Sequence, residues 1–157
     1  MTARSVTHAT FCIERTLSAA PARVFKAFAE QEAKDKWFTG PSHWVRTERS
    51  MDFRVGGRET SSVGEPGGVQ HRFDATYFDI IPGERIVFTY AMHLDDVMMS
   101  VSITTIELAP AGDKTLMKFT EQGAFLLDPA DAPQREQGTH FLMDAVEAWL
   151  ASETATV

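Results

Sequence analysis

Pro133-Gln-Arg-Glu-Gln-Gly-Thr-His-Phe-Leu-Met-Asp-Ala-Val-Glu-Ala-Trp-Leu-Ala151 is the stretch around which the rest of the chain makes sense. At about 100° per residue, Gln134, Gly138, Phe141, Leu142, Ala145 and Trp149 fall on one side of a wheel. Glu136, His140, Asp144 and Glu147 fall on the other. A one-sided apolar stripe at helical period predicts an amphipathic helix. Asp131 with Gln134 has the spacing of a capping box, and Pro133 falls in the first turn, where its missing N–H costs nothing. A helix of about seventeen residues is roughly 25 Å long. Such a helix needs a broad apolar surface to lie on, and the residues before it read as that surface.

Thr10 to Leu17 alternates, with Phe11, Ile13 and Leu17 on one side and Cys12, Glu14 and Thr16 on the other. This predicts a strand with one buried face. Ser18 and Pro21 are the candidate cap and first-turn residue of a short helix over 22–28, and a second short helix is expected over 31–37. Gly40-Pro41 ends it. Period-two patterning then runs to about Gly123. Strands are expected over 43–50, 58–63, 70–80, 84–92, 98–108 and 115–122, and Met51 to Val55 leads into Gly56-Gly57. That glycine pair predicts a bulge, a bend or a close backbone approach. Pro82-Gly83 and Pro110-Ala-Gly-Asp113 mark hairpin turns. The order is one strand, two short helices, about six antiparallel strands and one long helix. It defines an α+β layer in which a curled sheet packs against a single helix and leaves room between them. Residues 10–151 are expected to form one domain, with flexible ends over 1–9 and 152–157.

Composition excludes several classes. A 157-residue chain with 43% hydrophobic and 24% charged residues is ordinary globular material. A net charge of −7 argues against non-specific nucleic-acid binding. Arg46, Arg49, Arg54, Arg58 and Arg72 are interleaved with Glu48, Asp52, Glu59 and Asp74, which predicts a solvated strand face. No apolar run reaches membrane-spanning length, so no membrane insertion is expected. The N-terminus has no signal-peptide form and Cys12 is the only cysteine, so a cytoplasmic location is expected.

Several segments carry a family resemblance. Leu17-Ser-Ala-Ala-Pro-Ala-Arg-Val-Phe-Lys-Ala-Phe28 resembles the opening strand-to-helix segment of the START-like (SRPBCC) superfamily. Trp37, Asp52-Phe-Arg-Val-Gly-Gly57, the run from Tyr77 through Pro82-Gly83 to Tyr90, and the run from Lys114 to Gly123 resemble successive motifs of one branch. That branch is named for the C-terminal domain of the activator of heat-shock-protein-90 ATPase. The resemblance covers residues 10–151. It implies the helix-grip fold, in which a curved antiparallel sheet of about seven strands grips a long C-terminal helix and two short helices follow the first strand. It departs from the branch at Gly138-Thr139, where Gly-Trp is usual, and at Glu121, where His is usual. The superfamily holds ligand carriers, cyclases, hydroxylase domains and co-chaperones, so the fold by itself names no activity.

No catalytic motif is present, and no His, Cys or carboxylate spacing predicts a metal or a cofactor. His140 is expected on the solvated helix face and His93 at a surface turn. The expected ligand-binding residues are Trp37, Phe53, Tyr77, Phe88, Tyr90, Met92, Met99, Phe119, Glu121, Gly138, Phe141 and Leu142. Phe73, Val101 and Trp149 are further lining candidates. Glu121 shares a strand face with Met117 and Phe119, which would set a carboxylate beside an apolar cavity. The expected function is binding of a small apolar or amphipathic ligand between sheet and helix. Two alternatives stand beside it: a cyclase- or hydrolase-type enzyme using Glu121 or Tyr90, and a co-chaperone-like module contacting a heat-shock ATPase. A homodimer through the convex sheet face is a further expectation.

Overall fold

The computed structural model describes residues 5–155. The elements run β1 (Thr7–Leu17), α1 (Pro21–Ala29), α2 (Gln31–Trp37), β2 (Val45–Met51), β3 (Arg58–Gly64), β4 (Gln70–Ile81), β5 (Arg85–Leu94), β6 (Val97–Ala111), β7 (Lys114–Phe125) and α3 (Asp131–Ala155). The strands form one antiparallel sheet in the order β1-β7-β6-β5-β4-β3-β2. Because β1 closes against β7, β1 and β2 lie on opposite edges. The segment between them, carrying α1 and α2, must therefore cross the sheet, and α3 lies on the same face. This is the α+β helix-grip arrangement that the resemblance implies.

Alternation sets the core. Phe11, Ile13 and Leu17 of β1, Phe73, Ala75 and Tyr77 of β4, Ile86, Phe88 and Tyr90 of β5, and Met117 and Phe119 of β7 are buried on the inner face. Met143, Val146 and Leu150 of α3 cover them. Arg15 reaches over from β1 to α3, donating to Asp144 at 2.6 Å, to Glu147 at 3.2 Å and to the His140 carbonyl at 3.2 Å.

The start of α3 differs from expectation. Asp128, three residues earlier than Asp131, makes the cap: its Oδ1 accepts from the Ala130 N–H at 2.9 Å, while Asp131 Oδ2 accepts from the Asp128 N–H at 3.2 Å. This is a reciprocal capping box with Pro129 next to the cap. The helix also continues past Ala151 to Ala155, and β1 begins at Thr7, so the ordered elements extend into the segments expected to be flexible. Residues 1–4, 156 and 157 of those segments lie outside the described residues. At α1 the cap position is Ala20, without a side-chain bond, and Pro21 is the first helical residue; Ser18 plays no capping part.

The buried face of α3 is rotated from the predicted one. Ala132, Thr139, Met143, Val146 and Leu150 are buried, whereas Phe141 is 67% exposed and Gln134 and Gly138 are exposed as well. The wheel centred its stripe on the aromatic residues. The sheet instead takes a stripe whose first turns carry Arg135, which bonds Tyr90, Glu121 and Ser100 beneath it, and Thr139, whose hydroxyl donates back to the Arg135 carbonyl.

Gly56-Gly57 is a close backbone approach. The Gly56 N–H donates to the Tyr77 carbonyl at 2.8 Å, and the Tyr77 N–H donates to Gly57 at 3.0 Å. A Cβ on Gly57 would lie 2.1 Å from the Asp52 carbonyl oxygen, so no larger residue fits. Opposite this loop, the pairing of β4 with β5 shifts register between Tyr77 and Asp79.

Candidate functional site

The strand registers bring inward residues into rows across the sheet. One row runs Phe11, Glu121, Thr104, Phe88, Tyr77 across β1, β7, β6, β5 and β4. The next runs Gly123, Ser102, Tyr90, Ala75, Glu59 across β7, β6, β5, β4 and β3. A third runs Phe125, Ser100, Met92, Phe73, Ser61. The middle of the sheet is thus paved with small side chains, namely Ser100, Ser102, Thr104 and Ala75. Gly123 cannot take a Cβ, which would come within 2.8 Å of Ser102 Oγ. Large residues flank these small ones, and α3 bridges above. The result is an unfilled cavity of about 600 Å³. Its walls are mainly aromatic and aliphatic, with Thr39, Gly40 and Pro41 and the α3 residues Gly138, Phe141 and Leu142 among its lining.

Two polar clusters are set into these apolar walls. The first centres on Glu121, which is 2% exposed. Its Oε2 accepts from the Tyr90 hydroxyl at 2.8 Å, from Ser102 Oγ at 2.9 Å and from the Arg135 guanidinium at 3.2 Å. Arg135 also donates to the Tyr90 oxygen and to Ser100 Oγ, each at 2.7 Å. Oε1 accepts no hydrogen bond among the described residues, and Glu121 lines the cavity. Beside it, the buried Thr104 hydroxyl has no hydrogen-bond partner among the described residues. Burial, reinforced by the Glu121 charge, pushes the Tyr90 phenol well above its ordinary pKa, so it stays protonated.

The second cluster centres on Glu59, which is fully buried. Lys34 Nζ donates to Oε1 at 2.8 Å, Arg49 donates to Oε2 at 2.7 Å, and the Tyr77 hydroxyl also donates to Oε1. Burial alone would raise the Glu59 pKa, but Lys34, Tyr77 and Arg49 outweigh it and hold the carboxyl below its ordinary value. Lys34 goes the other way. Burial pushes its pKa down, and Glu59 offsets only part of that. The ammonium sits over the rings of Phe38, Phe73 and Phe88, at 4.7, 5.5 and 5.8 Å from their centres.

Of the expected ligand-binding residues, Trp37, Tyr77, Phe88, Tyr90, Met92, Met99, Phe119, Glu121, Gly138, Phe141 and Leu142 line this cavity. Phe53 does not. The glycine-pair loop sets it behind Tyr77, between that ring and Phe25, at 4.9 and 5.7 Å between ring centres. Phe73 lines the cavity too. Val101 is exposed on the convex face and Trp149 lies away from the cavity, in a groove beside α1 and α2. Ser100, Ser102 and Thr104 are the buried residues of this part of β6: Ser100 and Ser102 bond Arg135 and Glu121, and Thr104 borders the cavity.

Other site residues were hidden by their charge. Arg49 and Arg46 are not on a solvated strand face: Arg49 is drawn in by Glu59 and Asp35, and Arg46 donates to the Phe38 carbonyl at 2.6 Å. Arg54 and Arg58 are exposed as expected. Lys34 stands three residues before Trp37 on the same face of α2, and Arg135 stands on the stripe that continues through Thr139, Met143, Val146 and Leu150. Those spacings were the available signals. His140 is exposed, whereas His93 belongs to β5 and its Nδ1 is buried without a partner. No group of three metal-ligating side chains occurs among the described residues, and no helix among them is long and apolar enough to cross a membrane.

A seven-stranded sheet that closes on a long C-terminal helix over such a cavity defines a START-like, or SRPBCC, protein. Within that class the chain belongs to the activator of Hsp90 ATPase homolog 1-like family, which it matches over residues 18–151. An uncharacterised protein from Rhizobium leguminosarum is 42% identical to it with a TM-score of 0.90, the match covering 96% of this chain and 99% of that one. A protein from Rhizobium loti is 46% identical with a TM-score of 0.84, over 92% and 99% of the two chains. A Chromobacterium violaceum protein is 29% identical with a TM-score of 0.68, over 92% and 96%. No curated protein matches the chain significantly.

Proposed function

We propose that this protein binds one small apolar or amphipathic molecule in the cavity between the sheet and α3. The supporting observation is a cavity of about 600 Å³ whose walls are mainly apolar, with two buried polar clusters set into them. Ligand sites commonly have this size and this ratio of apolar wall to a few placed polar groups. The aromatic lining supplies the affinity, while Glu121 Oε1, the Thr104 hydroxyl and Lys34 give the ligand's polar groups places to dock. Sequestration or presentation fits these residues better than proton-transfer chemistry. The Tyr90 phenol is held protonated and already donates to Glu121, so it is not poised as a base.

Mass spectrometry tests this reading. Protein purified from its own host should carry a small molecule under native conditions that is released on denaturation. An empty protein that also fails to take up apolar fluorescent probes would overturn the proposal. The family's description favours a second reading, contact with a heat-shock ATPase. A pulldown that does not enrich such an ATPase, with its hydrolysis rate unchanged by added protein, would remove it.

A further inference from the structure

We infer that the ligand of this cavity carries a carboxylate and that Lys34 Nζ is its seat. This rests on the cavity being a ligand site, as proposed above.

An alternating chain of ion pairs runs from the surface inward: Arg46 to Asp35 at 3.3 Å, Asp35 to Arg49 at 2.7 Å, Arg49 to Glu59 at 2.7 Å, and Glu59 to Lys34 at 2.8 Å. Three cations meet two carboxylates, and the chain ends, at the cavity, on a cation. Tyr77 does not supply the missing anion. Its hydroxyl donates to Glu59, and burial with the Glu59 charge pushes its pKa far up, so it stays neutral. Of the two cationic ends, Arg46 keeps 23% of its side chain within reach of water, whereas the Lys34 side chain is only 6% exposed and meets the cavity instead.

The hydrogen bonds tell the same story. A lysine ammonium has three N–H donors. Among the described residues only Glu59 Oε1 accepts one of them. The Phe38, Phe73 and Phe88 rings around Nζ offer their faces but no lone pairs, and all three line the cavity. A buried charge short of both counter-charge and acceptors is costly. A carboxylate entering from the cavity supplies one negative charge and two acceptor oxygens. A neutral carbonyl supplies acceptors but leaves the charge uncompensated. At the Glu121 cluster the balance is already one to one between Glu121 and Arg135. An anion therefore gains more at Lys34 than there, and the asymmetry fixes the direction in which the ligand lies.

Four naphthalene titrations test this on the intact protein, followed by intrinsic fluorescence or calorimetry. 1-Naphthaleneacetate and its neutral near-isostere 1-naphthaleneacetamide are compared on the wild type, and both again on Lys34→Met. The acetate should bind about tenfold tighter than the amide to the wild type. That ratio should fall to about one in Lys34→Met, with the affinity for the amide little changed. Equal affinities in the wild type overturn the inference while leaving cavity binding intact. A preference that persists in Lys34→Met puts the anion at Arg135 and overturns the assignment to Lys34. Binding of neither compound removes the cavity reading itself and this inference with it. Should Lys34→Met not fold, Lys34→Gln keeps a donor toward Glu59 and the same ratio is read on it.

Discussion

The Tyr90 hydroxyl donates to Glu121 Oε2 at 2.8 Å although β6 lies between their two strands. The contact is possible because the β6 residue beside Tyr90 is Ser102, too short to block it, and Ser102 bonds the same carboxylate oxygen. Arg135 then spans the pair from the helix side, donating to both. Three strands and α3 are thus tied at one buried oxygen, which fixes where α3 sits above the cavity.

Glu121→Gln should therefore be strongly destabilising despite its conserved shape. It leaves the Arg135 guanidinium, with a side chain 11% exposed, without a counter-charge. Removing one partner of a buried pair costs about 3–5 kcal/mol. The amide oxygen still accepts hydrogen bonds, which puts the expected loss near the lower figure. Urea denaturation measures it. The double variant Glu121→Gln/Arg135→Met should recover most of the loss. Additive destabilisation in that double variant would show that the pair is not coupled.

The Glu59 cluster predicts a pH dependence. The Glu59 carboxyl titrates below its ordinary value when folded and near about 4.3 when unfolded. Between those values the unfolded chain binds the extra proton, so stability rises with pH. Its contribution is complete above about pH 4.3 and is lost as pH falls through the lower folded value. Urea midpoints followed from neutral pH into acid should fall in this window. In Glu59→Gln the part of that slope due to this group should vanish. In Lys34→Met, which removes the largest charge partner, the folded value rises toward the unfolded one, so the loss should be smaller and should end at a higher pH. An unchanged acid slope in Glu59→Gln would show that the carboxyl is not held low.

How far the sequence carried the fold and site follows from which signals are local. The helix stripe, the alternation in β1, β4, β5 and β7 and the Pro-Gly turn at Pro82-Gly83 are local, so element order and fold class were legible. Tyr90, Phe88, Phe119 and Glu121 were legible as inward residues for the same reason. What failed were inferences that equate polar with exposed. Lys34, Arg49, Glu59 and Arg135 are inside because each finds a partner on a distant strand or helix, a pairing no window of the sequence contains. Ser100, Ser102 and Thr104 carry no inward signal of their own, and Val101, a residue expected to line the cavity, lies between two of them. Ser100 and Ser102 serve inside because Arg135 and Glu121 are there to bond them, and Thr104 because it borders the cavity.

Thr104 offers a test of that last point. Its hydroxyl is buried without a hydrogen-bond partner. Thr104→Val keeps the shape and removes the unsatisfied group, which costs about 1–3 kcal/mol in protein interiors. The ligand-free variant should accordingly be more stable than the wild type, by about 1 kcal/mol. Thermal or urea unfolding of delipidated protein reads the change. A loss of stability would show that the hydroxyl is satisfied in the empty protein, by a bound water for instance.

Gly138 lies on the outer side of α3, yet it lines the cavity, and a Cβ placed there meets nothing within 4 Å. Gly138→Leu should therefore fold, and the gain in helix propensity should stabilise it by about 1 kcal/mol. The longer side chain would extend beside Phe141 and Leu142, across the cavity entrance. Stability and binding should then separate: unfolding moves to higher urea while association with an apolar probe slows and weakens. Stopped-flow binding with the same probe on both proteins measures this. A variant that is more stable and binds at the wild-type rate would mean that ligands enter elsewhere, past the Thr39-Gly40-Pro41 segment where Trp44 stacks on His71 at 4.5 Å between ring centres.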